Sequence, residues 1–219
     1  MKIIMKFFLS LLLLFFVFPV WAQGDPQDAH KLVDEKIRTL LARIEQLKTL
    51  PEVSEKQRIS AVEEVIGPVV DFKRITRRVM AKFYKRSSKQ QKVDFYTVFK
   101  KTLLNTYAKG LWEFEDYKVR LKPLKTSHQS QRNTLVEFEV VTSSGQLFPV
   151  IQSLFYHKKQ SRWMVQNVII SGVNIGQLFR DQFARLVAQN QGNIDLAIQA
   201  WVLEVKSPQE SVVKEEVDA

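Results

Sequence analysis

The 219-residue chain is 45% hydrophobic and 26% charged, the profile of a folded globular protein and not of a disordered one. It contains no cysteine, which excludes disulfide scaffolds, cysteine zinc sites, iron–sulfur clusters and cysteine nucleophiles. With 33 Lys and Arg against 23 Asp and Glu the net charge is +10, so an anionic partner is chemically reasonable.

Lys2 and Lys6 precede an apolar run from Phe7 to Val20 that only Ser10 and Pro19 interrupt. The run falls short of the roughly 20 residues of a bilayer-spanning helix. Val20 and Ala22 supply the small side chains of a cleavage site, so residues 1–22 read as a signal peptide and Gln23 as the first mature residue. The product is expected to be soluble outside the cytoplasm, which removes most nucleic-acid readings of the positive charge.

Leu32, Ile37, Leu40, Leu41, Ile44 and Leu47 recur at helical spacing between Asp25 and Leu50. Pro51 ends that helix, and a second is expected from Ser54 to Ile66, closed by Gly67 and Pro68. Phe72, Ile75, Val79 and Phe83 mark a third, with Ser87 and Ser88 as the cap of the next. That fourth helix runs from Lys89 to about Phe114, and its apolar face is too wide for a surface helix. The period then changes to two. Val119 and Leu121 alternate with cations; Val136, Phe138 and Val140 alternate with Glu137 and Glu139; Phe148 to Tyr156 and Trp163 to Ile170 follow. Gly172 is read as the end of the sheet. Two helices, Ile175 to Gln189 and Ile194 to about Leu203, close a domain spanning residues 23–206, and residues 207–219 form a polar tail. Helices before and after a four-stranded antiparallel meander predict an α+β fold.

The chain carries no glycine-rich phosphate loop, no nucleophile elbow and no His-Glu-x-x-His. His30, His128 and His157 lack metal-ligand spacing, and Glu63, Glu64, Glu113 and Glu115 lie among cations on amphipathic helices. No catalytic residue, metal or cofactor is therefore assigned. A basic run contains Lys73, Arg74, Arg77, Arg78, Lys82, Lys85 and Arg86; Arg74, Arg77, Arg78 and Lys82 are the candidates for docking to an acidic protein or anionic lipid surface.

The stretch Phe99-Lys100-Lys101-Thr102-Leu103-Leu104-Asn105-Thr106-Tyr107-Ala108-Lys109-Gly110-Leu111 resembles a signature of the MlaC family, periplasmic phospholipid-binding proteins also known as toluene-tolerance proteins. Trp163 to Asn174 resembles the family's strand into a Gly-Val-Ser turn, and Arg180-Asp181-Gln182-Phe183 its Arg-Ser-Gln-Phe. Departures are Asn167, Ser171 and Asn174, where the family usually has Asp, Glu and Ser.

The resemblance implies a curved four-stranded sheet packed with several helices in the MlaC fold. It also implies a monomeric carrier that takes phospholipid as cargo between an outer-membrane lipoprotein complex and an inner-membrane transporter of the mammalian-cell-entry type, maintaining lipid asymmetry. Strand alternation then suggests a pocket of Val136, Phe138, Val140, Val150, Leu154 and Tyr156 roofed by Phe99, Leu103, Tyr107 and Leu111, with polar Gln152 as an exception on the same face. Two other readings compete. A cone-shaped enzyme of the steroid-isomerase sort needs an acid or base inside the cone, and a ligand-free periplasmic adaptor needs a filled core.

Overall fold

A computed structural model of the protein describes residues 24–113, 117–125 and 129–204. The expected signal peptide, the new N-terminus at Gln23, His128 and the acidic tail lie outside the described residues.

Each early helix begins where a polar side chain satisfies its free N–H groups. Helix α1 (Pro26–Lys48) is capped by Asp25, which accepts from the Gln27 amide at 2.8 Å. Helix α2 (Glu55–Ile66) opens on a reciprocal capping box between Ser54 and Gln57. Asp71 caps α3 (Phe72–Met80), accepting from the Arg74 amide at 2.9 Å. The single helix expected over Phe72 to Phe83 is broken at Ala81, whose φ of 46° leaves the helical region. The five-residue α4 (Lys82–Arg86) follows, then α5 (Lys89–Glu113), opened by a second reciprocal pair between Ser88 and Gln91.

The chain next forms β1 (Lys118–Leu121), β2 (Asn133–Val141), β3 (Leu147–His157), β4 (Arg162–Ile170) and β5 (Val173–Asn174), each antiparallel to its neighbour in the order β1-β2-β3-β4-β5. The sheet is thus open and five-stranded, not the curved four-stranded one expected. The extra strand arises because Ser171 and Gly172 both take positive φ, 48° and 85°. That pair of conformations makes a tight hairpin loop, and it returns Val173 and Asn174 onto Ile170 and Ile169. Helices α6 (Ile175–Gln189) and α7 (Ile194–Glu204) complete the fold.

The apolar residues gather in two clusters. One joins α5, α6 and α7 around Phe95, Phe99, Phe183 and Trp201, all fully buried. The Phe95 ring lies 4.4 Å from Phe183 and meets Trp201 edge-on at 5.2 Å; such pairs add about 0.5–1.5 kcal/mol each beyond their buried area. The other cluster joins one sheet face to α1 through Ala29, Val33, Val136, Leu154 and Trp163. Two points connect them. Val70 packs on both, held by a parallel bridge in which Val165 N–H donates to Val69 O at 2.8 Å and Asp71 N–H to Val165 O at 3.1 Å. Helix α1 also serves both, Ile37 toward the sheet cluster and Leu40 toward the helical one.

Candidate functional site

Antiparallel register stacks the side chains of the apolar sheet face into rows across the strands. Tyr156 lies opposite Trp163; Thr134, Leu154 and Val165 form the next row; then Val136, Gln152 and Val168; then Leu121, Phe138, Val150 and Ile170; last Val119, Val140 and Phe148.

From the Thr134 row onward, cover over these rows falls in one direction. Thr134 and Leu154 are 1% and 0% exposed. In the middle row Val136 is closed, but Gln152 and Val168 are half-buried. Phe138 and Val150 keep 8% and 7%, with Leu121 and Ile170 half-buried beside them, and all three members of the last row are half-buried.

Helix α1 produces the closed end. Trp163 Nε1–H donates to the Asp25 carbonyl at 2.9 Å, and Gly24 passes so close that a Cβ there would lie 2.5 Å from the Tyr156 ring. His30 Nε2 bonds the Lys122 carbonyl at 2.8 Å, fixing the helix over the end of β1. Beyond this cover, aliphatic side chains on an inward-facing surface stay accessible, at a cost of about 25 cal/mol per Å². An apolar ligand would remove that cost.

The ten residues expected to line a pocket divide between the two clusters. Val136, Phe138, Val140, Val150, Leu154 and Tyr156 share the row face, whereas Phe99, Leu103, Tyr107 and Leu111 belong to the helical cluster. Phe99 is enclosed by Phe95, Phe179 and Trp201, with ring centroids at 5.6, 5.6 and 5.7 Å. Val140, Tyr156, Tyr107 and Leu111 retain accessible surface. Tyr107 combines that access with a desolvated phenol, which burial pushes up to about 12. Sequence reasoning did not place Ile37, Val119, Leu121, Val168 and Ile170 with the sheet cluster, against which they pack half-buried; the alternation of Val119 and Leu121 was the available signal for the β1 pair.

The strand acids lie on the opposite face, where Glu137 pairs with Lys125 at 2.6 Å and Glu139 with Lys122. A cleft of about 10 Å³ beside His30, Lys122, Lys125 and Glu137 has room for one water. Among the described residues no group of three or more His, Asp and Glu is placed to hold a metal, and no helix is long and apolar enough to cross a membrane.

The basic run is not uniform. Arg74 is fixed to the sheet: its Nε–H donates to Gln166 Oε1 at 3.1 Å and its guanidinium lies 3.9 Å from the Phe155 ring centre. Arg77, Arg78 and Lys82 are exposed. Partial burial, and then the nearby charges of Arg74 and Arg77, hold Arg78 below the ordinary arginine value.

A sequence profile of the family described as MlaC protein matches residues 34–202. The toluene tolerance protein ttg2D of Pseudomonas putida is 31% identical over 201 residues, 90% of this chain and 89% of that protein. The chain belongs to the MlaC family. A crystallised phospholipid-binding protein from Ralstonia solanacearum, in complex with a phospholipid, superimposes with a TM-score of 0.71 at 24% identity, covering 81% of this chain and 96% of that one. That likeness shows the shared fold. The family match begins within α1 and spans the row face, the helical cluster and the basic run, while Gly24, Asp25 and His30 precede it.

Proposed function

We propose that this chain is a periplasmic carrier that holds phospholipid with its acyl chains against the open rows of the apolar sheet face. The observation that carries the reading is the fall in cover from the Thr134 row to the Val140 row, on side chains that are apolar except for Thr134 and Gln152. Membership of the MlaC family and likeness to a phospholipid-binding protein support it.

Each methylene taken out of water is worth about 0.8 kcal/mol, so a chain of about fifteen costs on the order of 12 kcal/mol to expose. A soluble protein that covers the tails and leaves the headgroup in solvent removes that barrier with no chemical step. Catalysis is not part of this reading. The isomerase alternative needs an acid or base among the rows, whereas Glu137 and Glu139 face away and pair with lysines.

The carrier works as a monomer between an outer-membrane lipoprotein complex and an inner-membrane transporter of the mammalian-cell-entry type, and these partners supply direction. Arg77, Arg78 and Lys82 form the exposed cationic surface for docking, with Arg74 holding their helix to the sheet.

Transfer of a fluorescent phospholipid between vesicles tests the reading. Added protein should raise the transfer rate in proportion to its concentration, and transfer no faster than without protein would contradict it.

A further inference from the structure

Val93, on the first turns of α5, is 56% exposed, more than any other large apolar side chain among the described residues. Leu196 is 45% exposed at the start of α7, which is tied to α5 where Gln91 Nε2–H donates to Asp195 Oδ2 at 2.9 Å. Gln199 and Val202 follow Leu196 at intervals of three along the same exposed side. Cations gather beside the start of α5. Lys85, Arg86 and Lys89 are exposed, Lys92 lies 4.8 Å from the Tyr84 ring centre, and none of the four forms an ion pair with a described residue. The acids at these two helix starts, Asp94 and Asp195, accept instead from Gln90 and Gln91. Elsewhere exposed cations such as Arg38 and Lys125 do have carboxylate partners.

The sequence beyond Glu204 carries the complement. Pro208 cannot continue a helix and favours a turn. After it come Glu210, Glu215, Glu216 and Asp218 with Lys214 as their single cation, and Val212 and Val213 stand between them. Leu196 lies eight residues before the end of α7 at Glu204, about 12 Å at 1.5 Å per residue. The stretch from Gln209 to Val213 spans about 17 Å when extended, so a reversal at Pro208 returns the two valines to Leu196. Glu215, Glu216 and Asp218 then reach the cations at the start of α5.

We propose that residues 209–218 of this chain turn back along α7, seat Val212 and Val213 on Leu196 and Val93, and pair their carboxylates with the cations around Lys89. Those cations continue the surface of Arg77, Arg78 and Lys82, so the segment competes with an anionic docking partner. For that consequence alone the proposal rests on the docking role proposed above. A few exposed ion pairs correspond to roughly a 2- to 10-fold effect, which salt removes.

The chain has no cysteine, so Leu196→Cys with Val213→Cys in the full-length protein creates a single possible intramolecular disulfide. Its rate of formation under a fixed oxidant, in dilute protein, should be faster at about 0.01 M salt than at about 1 M salt by a factor within that range. Adding Arg86→Glu and Lys89→Glu should slow the low-salt rate to the high-salt one. Equal rates in both salts, or a low-salt rate unmoved by the charge reversal, would overturn the proposal. The consequence is read separately, from sedimentation of the full-length chain with vesicles of equal parts phosphatidylcholine and phosphatidylglycerol. Glu215→Gln, Glu216→Gln and Asp218→Asn together should raise association at low salt by a similar factor. Unchanged association alongside a salt-sensitive disulfide would contradict the docking role of the cations and not the seated segment.

Discussion

Asn167 and Asn174 together set the start of α6. Asn167 Nδ2–H donates to Asn174 Oδ1 at 3.0 Å, and Asn167 Oδ1 accepts from the Gly176 amide at 3.0 Å. Asn174 Oδ1 also caps the helix, accepting from the Gln177 amide at 3.1 Å. With Asp at 167 and Ser at 174 a serine hydroxyl would donate to a carboxylate where here an amide donates to an amide oxygen. The two side chains are therefore coupled. Asn167→Asp alone sets two acceptors against each other and should lower stability by about 1–2 kcal/mol; adding Asn174→Ser should recover most of it, as read from thermal melts of the parent and both variants. Equal melting of Asn167→Asp and parent would refute the coupling. Tyr107 offers a second check. Burial raises its folded pKa to about 12, above the unfolded value near 10. Its contribution is therefore complete below about pH 10 and is lost as the pH rises through about 12. Parent and Tyr107→Phe should differ in stability by a constant amount from about pH 7 to 9, and above about pH 10 the difference should move against the parent; parallel curves throughout would show an open phenol.

Among the strands, alternation makes adjacent residues of β2 into controls for each other. Val140 lies in the open row and Val141 points to the other face, although both are half-buried. Val140→Trp should occupy space meant for an acyl chain and reduce bound lipid. Val141→Trp should leave lipid per folded molecule unchanged, with either substitution costing no more than about 1–3 kcal/mol. Loss of lipid from both, or from Val141→Trp alone, would place the cargo elsewhere. Helices α1, α2, α5 and α6 were legible in the chain because their starts depend on local caps at Asp25, Ser54, Ser88 and Asn174. The break at Ala81 was not, since alanine is a good helix former and its positive φ is imposed from outside the segment. Nor was β5, whose two residues are too few to show a period and whose Ser-Gly loop reads equally as a terminus. The face shared by Val136, Phe138 and Val150 followed from alternation, as did the oddity of Gln152. The rows joining them, the cover from α1 and the enclosure of Phe99 by α6 and α7 depend on contacts between distant segments, which no local pattern encodes.

In the complete fold, the two apolar clusters answer different needs. The helical one is closed around stacked aromatic rings and supplies stability. The sheet cluster is closed only beneath α1 and leaves its far rows accessible. A domain selected for stability alone would extend cover across those rows; a carrier has to leave them open so that cargo can enter and depart. The exposed cations of Arg77, Arg78 and Lys82 lie on a segment joined to the sheet through Arg74 and Val70, so the proposed docking surface and the proposed cargo face belong to one framework. Reversing those three to Glu should slow delivery to a partner more at low salt than at high salt while leaving bound lipid unchanged. The open rows themselves are tested by gentle purification of the protein from the cells that make it, followed by denaturing extraction and mass spectrometry of whatever it carries. Phospholipid should be recovered in roughly stoichiometric amount, with mixed headgroups because the tails supply most of the binding energy; protein that emerges folded and free of lipid would contradict the carrier function.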